Sequence, residues 1–277
     1  MVIKIVTDSS ADLPNELLEK YKITVVPMNV SIEGVDYREG VDITPKEFFK
    51  KMFASAELPR TSQPSPAVFG EAYSKFPVNS EILCLTISSG LSGTYQSAII
   101  AKGLTKNKVT VFDTLAGSLG HGIQIIKAAE LAESGHSMEE IVAILTKYRE
   151  NMNIFILLDT LENIVKGGRL SKFQGSLAKL LNIKVLLQRG DGGTVETLEK
   201  IRGKKKSQKR LMEIIKDSKK DFSETIFGIT HTGNLEEAEA LKNEIIAQFH
   251  PKEVILNYMG ATMGTYAGRG GMIISYA

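Results

Sequence analysis

The sequence offers little to support thiol or metal chemistry. It holds a single cysteine, Cys84, so no internal disulfide can form. Cys84 sits in Ile82-Leu83-Cys84-Leu85, where a thiol reads as an inert core group. The four histidines are scattered, with no pair at metal-ligand spacing, which argues against a structural zinc site. No apolar run approaches the roughly 20 residues of a membrane span. The opening Met1-Val2-Ile3-Lys4-Ile5-Val6 is too short for a signal-peptide core and runs into Thr7-Asp8-Ser9-Ser10. The chain therefore reads as cytoplasmic, and an apolar ligand would have to be enclosed by it. Basic and acidic residues nearly cancel, 34 against 32 for a net +2, so no general pull toward nucleic acid, membrane or acidic partners is expected.

Nucleotide and hydrolase signatures are also missing. There is no Gly-x-x-x-x-Gly-Lys-Ser/Thr, no Gly-x-Gly-x-x-Gly after a strand, and no Gly-x-Ser-x-Gly elbow. His121 and His231 are candidate general bases, but a structural or solvated role explains each as well. With no nucleophile–base pair in view, the pattern disfavours catalysis.

What is present is an ordinary globular composition, 43% hydrophobic and 24% charged over 277 residues. That length holds one large domain or two moderate ones. Strand-like and helix-like segments alternate, which predicts an α/β fold. Strands are expected at residues 2–6, 23–30, 81–87 and 108–112. Helices are expected at 15–20, after Thr44-Pro45-Lys46-Glu47, from Ser65-Pro66 with Phe69, Ala72, Tyr73 and Phe76 on one face, at 94–102, at 116–133, and after the capping box Ser137-Met138-Glu139-Glu140. This order predicts a parallel sheet in the first half. After Asn153 the rhythm changes. A strand at 154–158 and a hairpin, 183–188 with 194–201 around Gly190-Asp191-Gly192-Gly193, are followed by helices at 207–219 and 234–249 and strands at 225–230, 253–258 and 272–276. The reading is two α/β domains, residues 1–152 and 153–277.

Three polar loops of the first half interrupt apolar structure: Thr7-Asp8-Ser9-Ser10, Thr61-Ser62-Gln63-Pro64-Ser65-Pro66 and Ser88-Ser89-Gly90-Leu91-Ser92-Gly93-Thr94. In open α/β sheets, ligands bind beyond the carboxyl ends of strands, where such loops meet. Hydroxyls donate without adding charge, glycines at 90 and 93 permit close backbone approach, and a helix beginning after Gly93 favours an anion. These features describe a site for one modest anion, a carboxylate or a phosphate. Equally, the hydroxyls can simply cap helices and close turns. The one dense basic run, Lys204-Lys205-Lys206-Ser207-Gln208-Lys209-Arg210, reads either as a solvated helix start or as a docking patch for an acidic partner. Without interleaved aromatics, it does not suggest nucleic acid.

Taken together, these segments resemble the DegV family of bacterial fatty-acid-binding proteins. The resemblance rests on Thr7-Asp8-Ser9-Ser10-Ala11-Asp12-Leu13, on the loops beginning at Thr61 and Ser88, on Asp159-Thr160-Leu161 with Lys166-Gly167-Gly168-Arg169-Leu170-Ser171, and on the glycine-rich end from Gly260. It implies an N-terminal parallel-sheet α/β domain, a C-terminal mixed-sheet α/β domain and a lipid tunnel between or beside them. It implies a non-enzymatic carrier with no cofactor and no metal, which presents a long-chain fatty acid to a separate fatty acid kinase for acyl phosphate formation. Membrane contact would be peripheral and transient. By the same resemblance the carboxylate contacts fall on Thr61 and Ser92. Where the family often has Gly-Thr-His, this chain has Gly264-Thr265-Tyr266, which makes Tyr266 a second-tier candidate; Gly268-Arg269-Gly270 replaces a common Gly-Pro-Gly. Arg202 matches a family arginine associated with partner docking. Burying about 14 methylenes contributes roughly 11 kcal/mol at ~0.8 kcal/mol each, less several kcal/mol for association and ordering. The competing reading is an enzyme that uses the same hydroxyl-lined site on a small phosphorylated or carboxylated substrate.

Overall fold

A computed structural model describes residues 3–170 and 183–277. Strand β1 (Lys4–Asp8) starts a four-stranded parallel sheet of order β2-β1-β6-β7, with β2 Thr24–Val26, β6 Glu81–Thr86 and β7 Lys108–Asp113. Alternate side chains of β6 leave on opposite faces. Ile82 and Cys84 pack with Phe69 and Tyr73 of α3 (Pro66–Ser74) and Ala98 of α4 (Thr94–Ala101). Leu83 and Leu85 pack with Ile123 of α5 (Leu119–Glu133) and Ile141 of α6 (Met138–Glu150). Both faces of the sheet are thus covered, which is why β6 is an unbroken apolar run rather than an alternating one.

The second sheet has six strands, in the order β10-β9-β8-β13-β11-β12. They are β8 Asn153–Leu158, β9 Ile183–Arg189, β10 Val195–Arg202, β11 Ile226–His231, β12 Glu253–Tyr258 and β13 Met272–Tyr276. Only β11 and β12 pair in parallel; the other neighbours are antiparallel, so this sheet is mixed. Phe155, Leu157, Phe227 and Ile274 face α8 (Lys204–Ser218) and α9 (Leu235–Phe249). Ile154, Ile156, Leu158 and Ile273 face the other way, into the core that contains α5. Helix α5 packs against β1 and β6 of the first sheet and β11 and β13 of the second.

The expected strand 23–30 is two strands in two sheets. Pro27 lacks an N–H and ends β2, and the chain resumes as β3 (Asn29–Ile32) in a small antiparallel sheet with β4 (Val35–Arg38) and β5 (Arg60–Ser62). Both expected capping boxes are formed, Thr44 with Glu47 at the start of α2 (Pro45–Ala54) and Ser137 with Glu140 at α6. Two short helices complete the set, α7 (Glu162–Lys166) and α10 (Ala261–Ala267), with α1 at Asn15–Lys20. Among the described residues, no helix is long and apolar enough to cross a membrane.

Candidate functional site

A cavity of about 340 Å³ lies where β5, the loop after β6, the inner face of the six-stranded sheet and α10 meet. Its walls are mostly apolar: Ile87 and Leu91 from the loop after β6, Ile156 and Leu158 from β8, Ile273 from β13, and Met263 from α10. Its polar lining comes from Thr61, Ser62, Gln63, Ser92, Thr262, Arg169 and Tyr266. A concave, largely apolar volume with a few converging polar groups is the usual form of a small-molecule site.

The structure brings Thr61, Ser92 and Tyr266 to this one cavity. Thr61 sits on β5 opposite Val30, not in a loop. A three-residue strand of polar sequence carries no periodic signal, and only its pairing with β3 makes it visible. Thr61 Oγ1 and the Tyr266 hydroxyl are 2.6 Å apart. Ser92 Oγ is 2.8 Å from Thr94 Oγ1 and accepts the Thr94 N–H at 3.3 Å, so the first turn of α4 orients it. Beside it, Gln63 Nε2 donates to Ser97 Oγ at 3.1 Å.

Arg169 also lines the cavity, although reading the sequence did not single it out as a ligand. Its guanidinium carbon stands 4.8 Å from the centre of the Tyr266 ring, and its Nη1 donates to the Gly167 carbonyl at 2.6 Å. The Tyr266 ring in turn packs where a Cβ on Gly167 would be. The available signal was Arg169's place in the motif at 166–171, and a cation in the lining is an obvious partner for an anion. Ser171 itself lies outside the described residues. Arg202 ends β10; its backbone is seven residues from the cavity-lining Val195, about 23 Å at ~3.3 Å per residue of strand. Its side chain lies outside the described residues.

The glycines at 90 and 93 serve protein contacts. A Cβ on Gly90 would lie 2.5 Å from the Gly192 carbonyl oxygen of the β9–β10 turn, and one on Gly93 would strike the Gln63 amide. Ser88, fully buried, donates to the Gly193 carbonyl at 2.8 Å and ties the same loop to the same turn.

The Thr7–Ser10 loop does not line the cavity. Thr7, Asp8 and Ser10 are fully buried. Asp8 accepts the Ile87 N–H at 2.8 Å and the Ser10 N–H at 3.1 Å. Behind the cavity lie two further buried acids, neither of them read from the sequence as special. Glu39 accepts the Thr262 N–H and hydroxyl, each at 2.8 Å, and the Ser9 hydroxyl at 2.5 Å. Asp12 accepts the Ser118 hydroxyl at 2.6 Å and the Gly260 N–H at 2.8 Å. Burial, then the neighbouring Glu39 charge, pushes the Asp12 carboxyl well above its ordinary range; burial raises Glu39 as well. His121 is buried with Nε2 3.0 Å from Thr7 Oγ1, and burial lowers its pKa. His231 is also buried, with its pKa lowered in the same way. Neither histidine lines the cavity, and among the described residues Arg169 and Tyr266 are its ionisable lining residues.

The fold and the site define an α/β protein with a mostly apolar cavity whose described lining carries hydroxyls and an arginine. A family profile described as "Uncharacterised protein, DegV family" matches residues 2–277. The DegV domain-containing protein TTE1491 of Caldanaerobacter subterraneus subsp. tengcongensis is 34% identical over 268 residues, 96% of this chain and 95% of that protein. The structure of a fatty-acid-binding DegV family protein from Thermus thermophilus superposes with a TM-score of 0.92 at 35% identity, covering 100% of this chain and 99% of that one. A DegV family protein from Eubacterium eligens, loaded with heptadecanoic acid, superposes with a TM-score of 0.87 at 26% identity, covering 99% and 98%. The chain belongs to the DegV family.

Proposed function

We propose that the protein binds a long-chain fatty acid, holds its carboxylate with Thr61 and Ser92, and presents it to a fatty acid kinase for acyl phosphate formation without catalysing a reaction of its own. The observation that carries this reading is the gathering of Thr61, Ser92 and Tyr266 on a cavity whose remaining walls are largely aliphatic. The fatty-acid-bound relatives support the ligand class. Arg169 supports an anionic head group, since a guanidinium pairs with a carboxylate through charge-assisted hydrogen bonds. Tyr266 is a secondary contact through its hydroxyl. Arg202 is the docking residue for the kinase. Residues 1–152 and 153–277 act as the two lobes that enclose the acid.

The alternative, an enzyme working on a small phosphorylated or carboxylated substrate, needs a general base near Ser92. No histidine, aspartate or glutamate lines the cavity among the described residues.

Denaturing extraction of the purified protein followed by mass spectrometry tests the ligand. A near-stoichiometric fatty acid is expected. A protein that emerges empty and takes up no C14 to C18 acid would end this reading. For the partner, Arg202→Glu should leave acid binding unchanged and sharply lower acyl phosphate formation with a cognate kinase and ATP; normal turnover would remove Arg202 from the interface.

A further inference from the structure

A second concavity, distinct from the lipid cavity, opens between α2 and α9. One wall is a single stripe of α2: Lys46, Phe49, Lys50 and Phe53 recur at three- and four-residue spacing. The other wall is Leu235, Glu239 and Lys242 of α9, again one stripe. Leu256 and Tyr258 of β12 form the floor, and Arg269 closes one end. Each stripe spans eight residues, about 10 Å of helix from first to last.

The charges here are one-sided. Four cations line the groove, Lys46, Lys50, Lys242 and Arg269, against one acid, Glu239. None of the four cations makes a salt bridge among the described residues, whereas Arg38 and Arg210 each have an acidic partner. Arg269 is stacked on the Phe53 ring with its guanidinium carbon 4.0 Å from the ring centre, and none of its N–H groups donates a hydrogen bond among the described residues. Such an arginine is pre-oriented and has its donors free. The groove also holds apolar surface. Leu235 is 49% exposed, and Phe53 is half-buried at the edge of a row of rings, Phe53 with Phe49 at 5.4 Å and Phe49 with Tyr258 at 5.4 Å.

We propose that this groove receives an acidic amphipathic helix of a partner protein, its apolar face on Leu235, Phe53 and Leu256 and its carboxylates on Lys46, Lys50, Lys242 and Arg269. The shape selects the occupant. A groove walled by two helices accepts a third helix through apolar anchors spaced three and four residues apart. A bilayer surface is flat and does not enter it. A free phosphate would engage the cations and leave the apolar floor uncovered. Cations on both walls and at one end, with an apolar centre, match a helix that is acidic along its flanks.

A displayed library of random peptides, about 14 residues long or ~21 Å as helix, tests this. Peptides are selected on the fatty-acid-loaded protein and counter-selected on the variant Lys46→Glu/Lys50→Glu/Lys242→Glu/Arg269→Glu. The expected peptides combine Asp or Glu with Leu or Phe at helical spacing. They bind wild type at least about tenfold more tightly than the variant, and their affinity falls as ionic strength rises from about 0.01 to 0.15 M, where the screening length drops from about 30 to 8 Å. Leu235→Asp should weaken them as well. All these side chains lie outside the lipid cavity, so fatty acid content and melting temperature are expected to match wild type. If the quadruple variant does not fold, Lys46→Glu/Lys242→Glu, one change on each wall, takes its place. The proposal is overturned if no acidic apolar consensus emerges, if the variants bind the selected peptides as well as wild type does, or if inorganic phosphate or anionic vesicles bind wild type through these residues while the peptides do not.

Discussion

Thr61 and Tyr266 stand 205 positions apart in the sequence, yet their hydroxyl oxygens are 2.6 Å from each other in the lining of the cavity. Each can donate or accept, so the pair can turn one hydrogen toward an incoming carboxylate while keeping the other between them. Thr61→Val and Ser92→Ala are each expected to weaken fatty acid binding by roughly 1–3 kcal/mol, the scale for a hydrogen bond to a charged group. Tyr266→Phe keeps the ring that Arg169 and Gly167 pack against and should cost less than Ser92→Ala. Calorimetric titration with a fatty acid ranks the three. A Tyr266→Phe loss exceeding that of Ser92→Ala would make the tyrosine hydroxyl the main contact.

Arg169 brings the one positive charge in the cavity lining among the described residues. Arg169→Gln should reduce the preference for a fatty acid over the matching alcohol by about tenfold or more, since the charge-assisted contact is lost while the apolar walls stay. Competition with both ligands in one displacement assay checks it. Equal discrimination by wild type and variant would assign Arg169 to supporting Tyr266 alone.

The buried Asp12 and Glu39 make stability depend on pH in an unusual direction. Their folded pKa values lie above the ordinary 3.8 and 4.5, so between those values and the raised ones the folded state binds more protons than the unfolded state. Their contribution is then most favourable below the unfolded pKa and is lost as pH rises through the folded one. Asp12→Asn retains an oxygen to accept the Gly260 N–H. Urea melts at a series of pH values should show a flatter decline above about pH 4 for this variant than for wild type. Parallel curves would mean that Asp12 ionises in the fold as it does in water.

Gly264 lies in α10 between the cavity-lining Met263 and Tyr266, and a Cβ there would enter the Phe49 ring. Phe49 is 2% exposed and packed among the rings of Phe48, Phe53 and Tyr258. Gly264→Ala is expected to cost ~1–3 kcal/mol by overpacking, despite the better helix propensity of alanine. A scanning fluorescence melt that moved upward instead would show that α10 shifts easily on its neighbours.

The regular layers were legible because their residues repeat with a period. The unbroken apolar run of β6, the capping boxes at Thr44 and Ser137, and the turn around Gly190–Gly193 each state local structure directly. The small sheet was not legible, since Val35–Arg38 and Arg60–Ser62 are short and largely exposed. Helix α10 was hidden in a glycine-rich segment that lacks a helical stripe. Thr7–Ser10 misled for a different reason. Polar residues read as surface, but here Asp8 is satisfied internally by Ile87 and Ser10 and can be buried at little cost. Thr61 and Ser92 were reachable only through resemblance; nothing in their own neighbourhoods distinguishes a ligand-facing hydroxyl from a capping one.

Helix α5 is held on both sides, and the closeness of that fit has a consequence during synthesis. A Cβ on Gly228 of β11 would lie 2.5 Å from Leu119 Cβ, so the second sheet presses directly on the helix. Leu119 and Ile123 are 1% and 0% exposed, and part of their cover comes from β11 and β13, strands made more than a hundred positions later. A nascent chain that has just released residue 152 from the ribosome therefore carries a finished parallel sheet with one greasy helix face still open to water. A released chain truncated after residue 152 and the full chain should differ accordingly in protease resistance around α5.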